Sequence, residues 1–270
     1  MDIALIGCGF IGSVIARSIA DKKLHANLRI IFDRHEDKMR KICELFETRP
    51  IIAKDMKDII ESNVDLVVEA ASIKAVQLFA LDILRSTKSM MIMSVGAFAD
   101  EDFYEEVLKT AEENDVKVYL PSGAIGGLDA LNAASIEGID EVTLETIKHP
   151  DSLKGAPHLI KNDIDLTEIK ERTVLFEGNA IEAIEGFPAN INVAVALSLA
   201  GVGVQKTKVR IVADPSIDRN IHKIYVKGEF GEFSFNIRNL PSPQNPRTSY
   251  LAALSAIATL QKVMSPLQIG

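Results

Sequence analysis

The sequence predicts a two-part α/β protein: a doubly wound parallel sheet, followed by an α+β domain with a largely antiparallel sheet. Three observations predict it. Short apolar strands alternate with helical patterns as far as about residue 121, a glycine-rich turn joins the first strand to the first helix, and beyond residue 140 apolar residues recur at every second position. Alternating strands and helices build a parallel sheet with right-handed crossovers. Period-2 runs instead mark antiparallel strands with one polar face.

The first strand, residues 1–6, runs directly into Gly7-Cys8-Gly9-Phe10-Ile11-Gly12 and then into a helical pattern over 13–20. In this strand-turn-helix context Gly-x-Gly-x-x-Gly marks a dinucleotide site. Gly7 permits the tight turn, Gly9 lets the backbone approach a pyrophosphate, and Gly12 lets helix and strand pack closely. Such a loop by itself also suits plain packing of helix on sheet, so the second strand matters. Residues 28–33 end in a carboxylate, Asp33, 21 positions after Gly12, close to the roughly 20 at which an acid reaches the adenosine ribose hydroxyls. The first part therefore reads as a Rossmann-type domain whose cofactor-binding residues are Gly7, Gly9, Phe10, Ile11, Gly12, Asp33 and Arg34. Asp33 favours NAD, while the adjacent Arg34 suits the 2′-phosphate of NADP. Use of both cofactors with NAD preferred is the expectation.

A charged helix over 35–46 and a short strand over 50–53 follow. Residues 64–72 read as a buried strand delivering Ala70, Ala71 and Ser72 at its carboxyl end; 74–86 is helical, and 89–97 is a further strand carrying Gly96. A helix over 102–113 and a strand over 116–120 complete the series. Ligands bind at the carboxyl ends of such strands, which adds Ala70, Ala71, Ser72 and Gly96 to the cofactor set. After residues 122–127 the pattern changes to a helix over 128–137, strands over 141–148, 208–213, 221–227 and 229–237, and helices over 190–200 and 248–263. The active site is expected in the cleft between the two parts.

Composition narrows the function. A net charge of −8 without any long Lys/Arg block argues against a nucleic-acid partner. No apolar run reaches the roughly 18 residues of a membrane span, and no basic segment precedes the first apolar strand, so a cytoplasmic protein without a membrane partner is expected. The two cysteines, Cys8 and Cys43, cannot form a zinc ligand set, and neither His-x-x-x-His nor Cys-x-x-Cys spacing occurs, so no metal is expected. The absence of a cysteine after Cys43 also removes a phosphorylating aldehyde dehydrogenase. Among five histidines, His222 stands in a strand pattern beside Asn220. It is either an acid/base group, the natural role of imidazole near neutral pH, or a satisfied sheet histidine.

Six runs carry a more specific signal: residues 122–130, 151–157, 187–194, 220–222, 228–232 and 245–255. In order and over essentially the whole chain, they resemble the L-aspartate dehydrogenase family of NAD(P)-dependent enzymes. Arg247 stands where lysine is commoner. The resemblance implies that His222 is catalytic, that Ala124 and Asn192 contact the cofactor with Asn190 a weaker member of the same motif, and that the reaction converts L-aspartate to iminoaspartate, feeding NAD biosynthesis through quinolinate. Asn190 and Asn192, at the mouth of a helix, also suit backbone capping. It implies, too, that a C-terminal helix returns to the nucleotide domain, giving domains at 1–121 with 241–270 and at 122–240. The substrate carboxylates need donors, and Asn190, Lys148, Lys154, Arg247, Thr248 and Ser249 are the candidates. A sheet bearing Phe230, Phe233 and Phe235 suggests face-to-face pairing in a homodimer. The competing readings are a reductase laid out like dihydrodipicolinate reductase, a homoserine dehydrogenase, and a non-enzymatic nucleotide sensor.

Overall fold

A computed structural model of the protein describes residues 1–188, 191–242 and 248–269. The apolar runs of the first half become β1 (Asp2–Ile6), β2 (Asn27–Phe32), β3 (Ile51–Ile52), β4 (Leu66–Glu69), β5 (Ser89–Ile92) and β6 (Val118–Tyr119). They form one sheet in the order β3-β2-β1-β4-β5-β6, every pairing parallel. Between them lie α1 (Phe10–Ala20), α2 (Glu36–Cys43), α3 (Met56–Ile60), α4 (Ile73–Arg85) and α5 (Glu101–Glu113). Strand order reverses direction between β1 and β4, the switch point outside whose carboxyl ends such sheets bind ligands.

β5 is shorter than expected: it stops at Ile92, and Val95–Ala99 form a 3-10 turn, so Gly96 is in that turn and not in a strand. A continuous apolar run such as Met90 to Met93 has no period that marks where the strand ends.

The second half forms β7 (Ile139–Lys148), β8 (Thr173–Asn179), β9 (Lys208–Ala213), β10 (Asn220–Gly228) and β11 (Gly231–Asn239), in the order β11-β10-β7-β9-β8. Three of the pairings are antiparallel and β7 runs parallel to β9, so the sheet is mixed. β8 does not stand out in the sequence because its register shifts between Val174 and Phe176, which breaks the alternation. The helices are α6 (Leu128–Ala134), α7 (Pro157–Lys161), α8 (Ala180–Gly186), α9 (Ile191–Ala200) and α10 (Tyr250–Met264).

Alternation divides the second sheet cleanly. Val142 and Leu144 of β7, Val209 and Ile211 of β9, and Ile224 and Val226 of β10 bury one face against α6, α8 and α9. Phe233 and Phe235 are partly buried and pack against this core. The opposite face is charged: Glu145 accepts from Arg172 at 2.8 Å and Lys223 at 2.9 Å.

The chain divides into two compact units, Met1–Pro121 with Ala253–Gly270, and Ser122–Ala252. The passage back to the first unit thus comes at Ala253, later than the expected 241. A bridge pairs Pro241 with Ser249, with Ser242 N–H donating to the Thr248 carbonyl at 2.7 Å and Tyr250 N–H to that of Leu240 at 3.0 Å, so residues 248–250 are tied to the end of β11. Within α10, Ala256 and Leu260 are fully buried and belong to the same core cluster of the first unit as Ile15, Ile19 and Leu24.

Gly127, at the start of α6, has φ +79°, and a Cβ there would run into the Phe235 ring. Gly127→Ala should therefore lower stability by about 1–3 kcal/mol through overpacking alone, seen as a drop in Tm. An unchanged Tm would mean that the ring is free to move aside.

Candidate active site

A groove of about 460 Å³ opens at the carboxyl ends of β1, β2 and β4. Gly7, Gly9, Asp33, Arg34, Ala70, Ala71 and Ser72 all line it, together with His35 and Lys38. Gly7 has φ +97°, and a side chain there would collide with the Ala70 carbonyl, as one at Gly12 would with the carbonyl of Gly7. At Gly9, by contrast, an added Cβ would meet nothing within 4 Å. The loop is thus tight on its protein side and open on its groove side, as a pyrophosphate requires. Phe10 and Ile11 begin α1, with Ile11 packed against the core. Gly96 is buried in its 3-10 turn and is not part of the groove lining.

Asp33 is anchored by the loop it serves. Its Oδ2 accepts from Cys8 N–H at 2.7 Å and its Oδ1 from His35 N–H at 2.9 Å. A carboxylate has about four acceptor positions, so each oxygen keeps capacity for a ribose hydroxyl. Arg34, His35 and Lys38 give the same end of the groove a basic rim. Cys8 is no nucleophile: burial, then the charge of Asp33, pushes its thiol pKa up to about 12.

The loop on the other side of the groove depends on Glu69, which is 1% exposed. Its Oε1 accepts from Ala71 N–H at 2.7 Å, Ser72 N–H at 2.9 Å and Ser94 Oγ at 2.8 Å, and its Oε2 from Ser94 N–H at 3.0 Å. Burial raises its pKa, against the pull of these four donors. Ser72 then caps α4, accepting from Ala75 N–H at 3.2 Å.

In the second unit, the inner row of the sheet turns polar at one end. Along β7 the row reads Val142, Leu144, Thr146, Lys148, and along β10 it reads Val226, Ile224, His222, Asn220; all are buried. His222, 3% exposed, lies opposite Thr146, 2% exposed, whose Oγ1 is 3.0 Å from Nδ1 of the ring. Burial, reinforced by the positive charge of Lys148, pushes the His222 pKa down from 6.5 to about 3. Asn239, opposite Asn220, donates to the Ala124 carbonyl at 2.8 Å, which ties Ala124 to this polar end.

Other expected residues are placed differently. Asn192 is an exposed residue near the start of α9. Lys154 is exposed and paired with Asp151 at 2.6 Å. Thr248 is half-buried and Ser249 buried, beside the bridge to Pro241. Asn190 and Arg247 lie outside the described residues. Among the described residues, no group of three or more His, Cys, Asp or Glu side chains is disposed to hold a metal, and no helix is long and apolar enough to cross a membrane.

The family model for the aspartate dehydrogenase C-terminal domain matches residues 129–263, and that for the homoserine dehydrogenase NAD-binding domain matches residues 7–121. The chain is 47% identical to L-aspartate dehydrogenase of Methanosarcina barkeri over 270 residues, covering 100% of this chain and 99% of that one. It is likewise 47% identical to L-aspartate dehydrogenase of Methanococcoides burtonii over 271 residues, covering 100% of this chain and 99% of that one. The crystal structure of aspartate dehydrogenase from Thermotoga maritima superposes with a TM-score of 0.78 at 33% identity, covering 100% of this chain and 99% of that chain. The chain belongs to the aspartate dehydrogenase family.

As a member of that family it is a nicotinamide-nucleotide-dependent oxidoreductase, and its Rossmann-type unit and second mixed sheet are the fold the sequence predicts. Two residues of this dehydrogenase had no role in the sequence reading, Glu69 and Thr146. A carboxylate ending a wholly buried strand, Leu66-Val67-Val68-Glu69, is a signal that points to the first. Nothing local points to the second.

The depressed pKa of His222 gives stability a direction with pH. Between about pH 6.5 and pH 3 the unfolded chain takes up a proton that the folded ring refuses, so stability falls as the solution is acidified through this window. The Tm of the wild type should drop more steeply from pH 6.5 to pH 4 than that of His222→Asn, measured by thermal melts. Parallel curves would show that the ring protonates freely in the folded protein.

Proposed function

We propose that the protein oxidises L-aspartate to iminoaspartate, which water converts to oxaloacetate and ammonia. The likeness along the whole chain to enzymes named L-aspartate dehydrogenase carries this reading. The buried polar end of the second sheet supports it, because it gathers a cation, an imidazole and amides where a dicarboxylate needs them. The nicotinamide, when bound, supplies the hydride acceptor.

The chain's own residues do the remainder. The open backbone at Gly9 and the start of α1 hold the diphosphate. The unused acceptor positions of Asp33 take the ribose hydroxyls and repel a 2′-phosphate, which Arg34, His35 and Lys38 partly offset. NAD is therefore preferred and NADP accepted. His222 is the catalytic residue, Lys148 attracts a substrate carboxylate, and Ala124 and Asn192 contact the cofactor. Asn190, Lys154, Arg247, Thr248 and Ser249 complete the candidates for the substrate's polar groups. We place the enzyme in the cytoplasm as a homodimer, feeding NAD biosynthesis by way of quinolinate.

Cofactor choice is tested at Asp33. Asp33→Ala should cost kcat/KM with NAD more than with NADP and so narrow the gap between them. A wild type that favours NADP would mean that the carboxylate does not meet the ribose.

Substrate choice tests the main claim. L-aspartate should exceed L-asparagine and L-glutamate in kcat/KM by a factor on the order of 10², because a neutralised or displaced β-carboxylate leaves buried partners unpaired. His222→Ala should lower turnover by about 10² to 10⁴, the range of a positioned acid/base group, with little change in NAD affinity. Comparable rates with alanine, glutamate and aspartate would sink the aspartate assignment.

A further inference from the structure

Thr146 and His222 face each other across β7 and β10, 76 residues apart in sequence, with Oγ1 and Nδ1 at 3.0 Å. A neutral imidazole carries its proton on one nitrogen only, and the partner of the other nitrogen decides which. Two arrangements fit the distance. If Nδ1–H donates to the hydroxyl, the hydroxyl proton needs a second acceptor, and among the described residues Oγ1 has no other partner. If the hydroxyl donates to Nδ1, both groups are satisfied by one bond, the arrangement buried polar groups adopt.

We infer that Thr146 donates its hydroxyl proton to Nδ1 of His222 and so fixes the tautomer in which Nε2 carries the proton, making the ring a neutral hydrogen-bond donor to the substrate. This rests on the reading of His222 as the catalytic residue and changes what that residue does. Lys148 is the charged group that acts on the ring, and it opposes a second positive charge there. His222 is then poorly suited to take a proton from the substrate amine. Its Nε2–H instead holds a substrate carboxylate oxygen without any change in the ring's charge. With the ammonium proton of aspartate lost to solvent before binding, a bound nicotinamide would accept the α-hydrogen with its electron pair, and the nitrogen lone pair would close the C=N bond of the iminium. Thr146 acts through the ring and is a positioning residue.

Long-range ¹⁵N–¹H NMR of uniformly labelled protein, with and without NAD, reads the tautomer directly. The expected result is a protonated Nε2 and an unprotonated Nδ1 for His222, unchanged from pH 5 to pH 9. Thr146→Val should lose this single tautomer and lower kcat/KM for aspartate by about 3- to 10-fold, the worth of one hydrogen bond, with NAD affinity unchanged. Thr146→Ser, which keeps the hydroxyl, should restore both signals. A wild-type ring protonated at Nδ1, or one titrating near its ordinary value, overturns the inference, and this arm stands even if the valine variant fails to fold. Full activity in His222→Ala would instead refute the catalytic reading while leaving the NMR result intact.

Discussion

Where β1 ends, the chain must turn into α1 within the width of one neighbouring strand, and it does so because Gly7 and Gly12 carry no side chains. A Cβ on either would occupy the place of a backbone carbonyl, that of Ala70 for Gly7 and that of Gly7 itself for Gly12. The groove inherits its shape from this contact. With the loop pressed against the end of β4, the β1 side is held by the lack of side chains. The β4 side is held by the opposite means, a buried carboxylate that gathers two N–H groups of the 70–72 turn and both donors of Ser94. Asp33 closes the third side by accepting from Cys8. Backbone-to-backbone packing and backbone-to-carboxylate bonds leave few rotatable groups in the lining, so much of the ordering that ligand binding would otherwise require is already done.

The second sheet faces a different problem. Its inner face is apolar over most of its length, and a core of this kind ordinarily excludes Thr, Lys, Asn and His unless each finds a partner. Here they are collected at one end, where Thr146 meets His222 and Asn239 meets the carbonyl of Ala124. Segregation keeps the apolar part intact, with Phe233 and Phe235 closing over it. The outer face of the same strands carries exposed ion pairs, each worth little alone.

Spacing along the chain made the first unit readable. The glycine loop and Asp33 are separated by one helix and one strand, so their positions follow from local geometry. The strand ending at Glu69 was readable as a strand, whereas the work of its last residue was not, since its donors at Ser94 lie just beyond the end of the neighbouring strand β5. β8 escaped notice because a register shift breaks its alternation. His222 stood out as a histidine beside an asparagine, yet its environment is made by cross-strand register, which joins residue 222 to residue 146 and has no signature in either segment. The return of the chain at Ala253 was likewise hidden, because the Pro241–Ser249 bridge depends on a fold already formed.

The placement of Ala256 and Leu260 in the core of the first unit bears on how the protein is made. Synthesis proceeds from the N-terminus, and domains generally fold as units during it. Here the sheet of residues 1–121 emerges from the ribosome well before the helix that brings Ala256 and Leu260 to its core. The second unit, whose residues run from Ser122 to Ala252, is complete first. Until α10 arrives, the nascent Rossmann-type unit carries an uncovered apolar patch, the kind of surface that chaperones bind. Order of appearance in the sequence and order of completion in folding are thus reversed for the two halves of this enzyme.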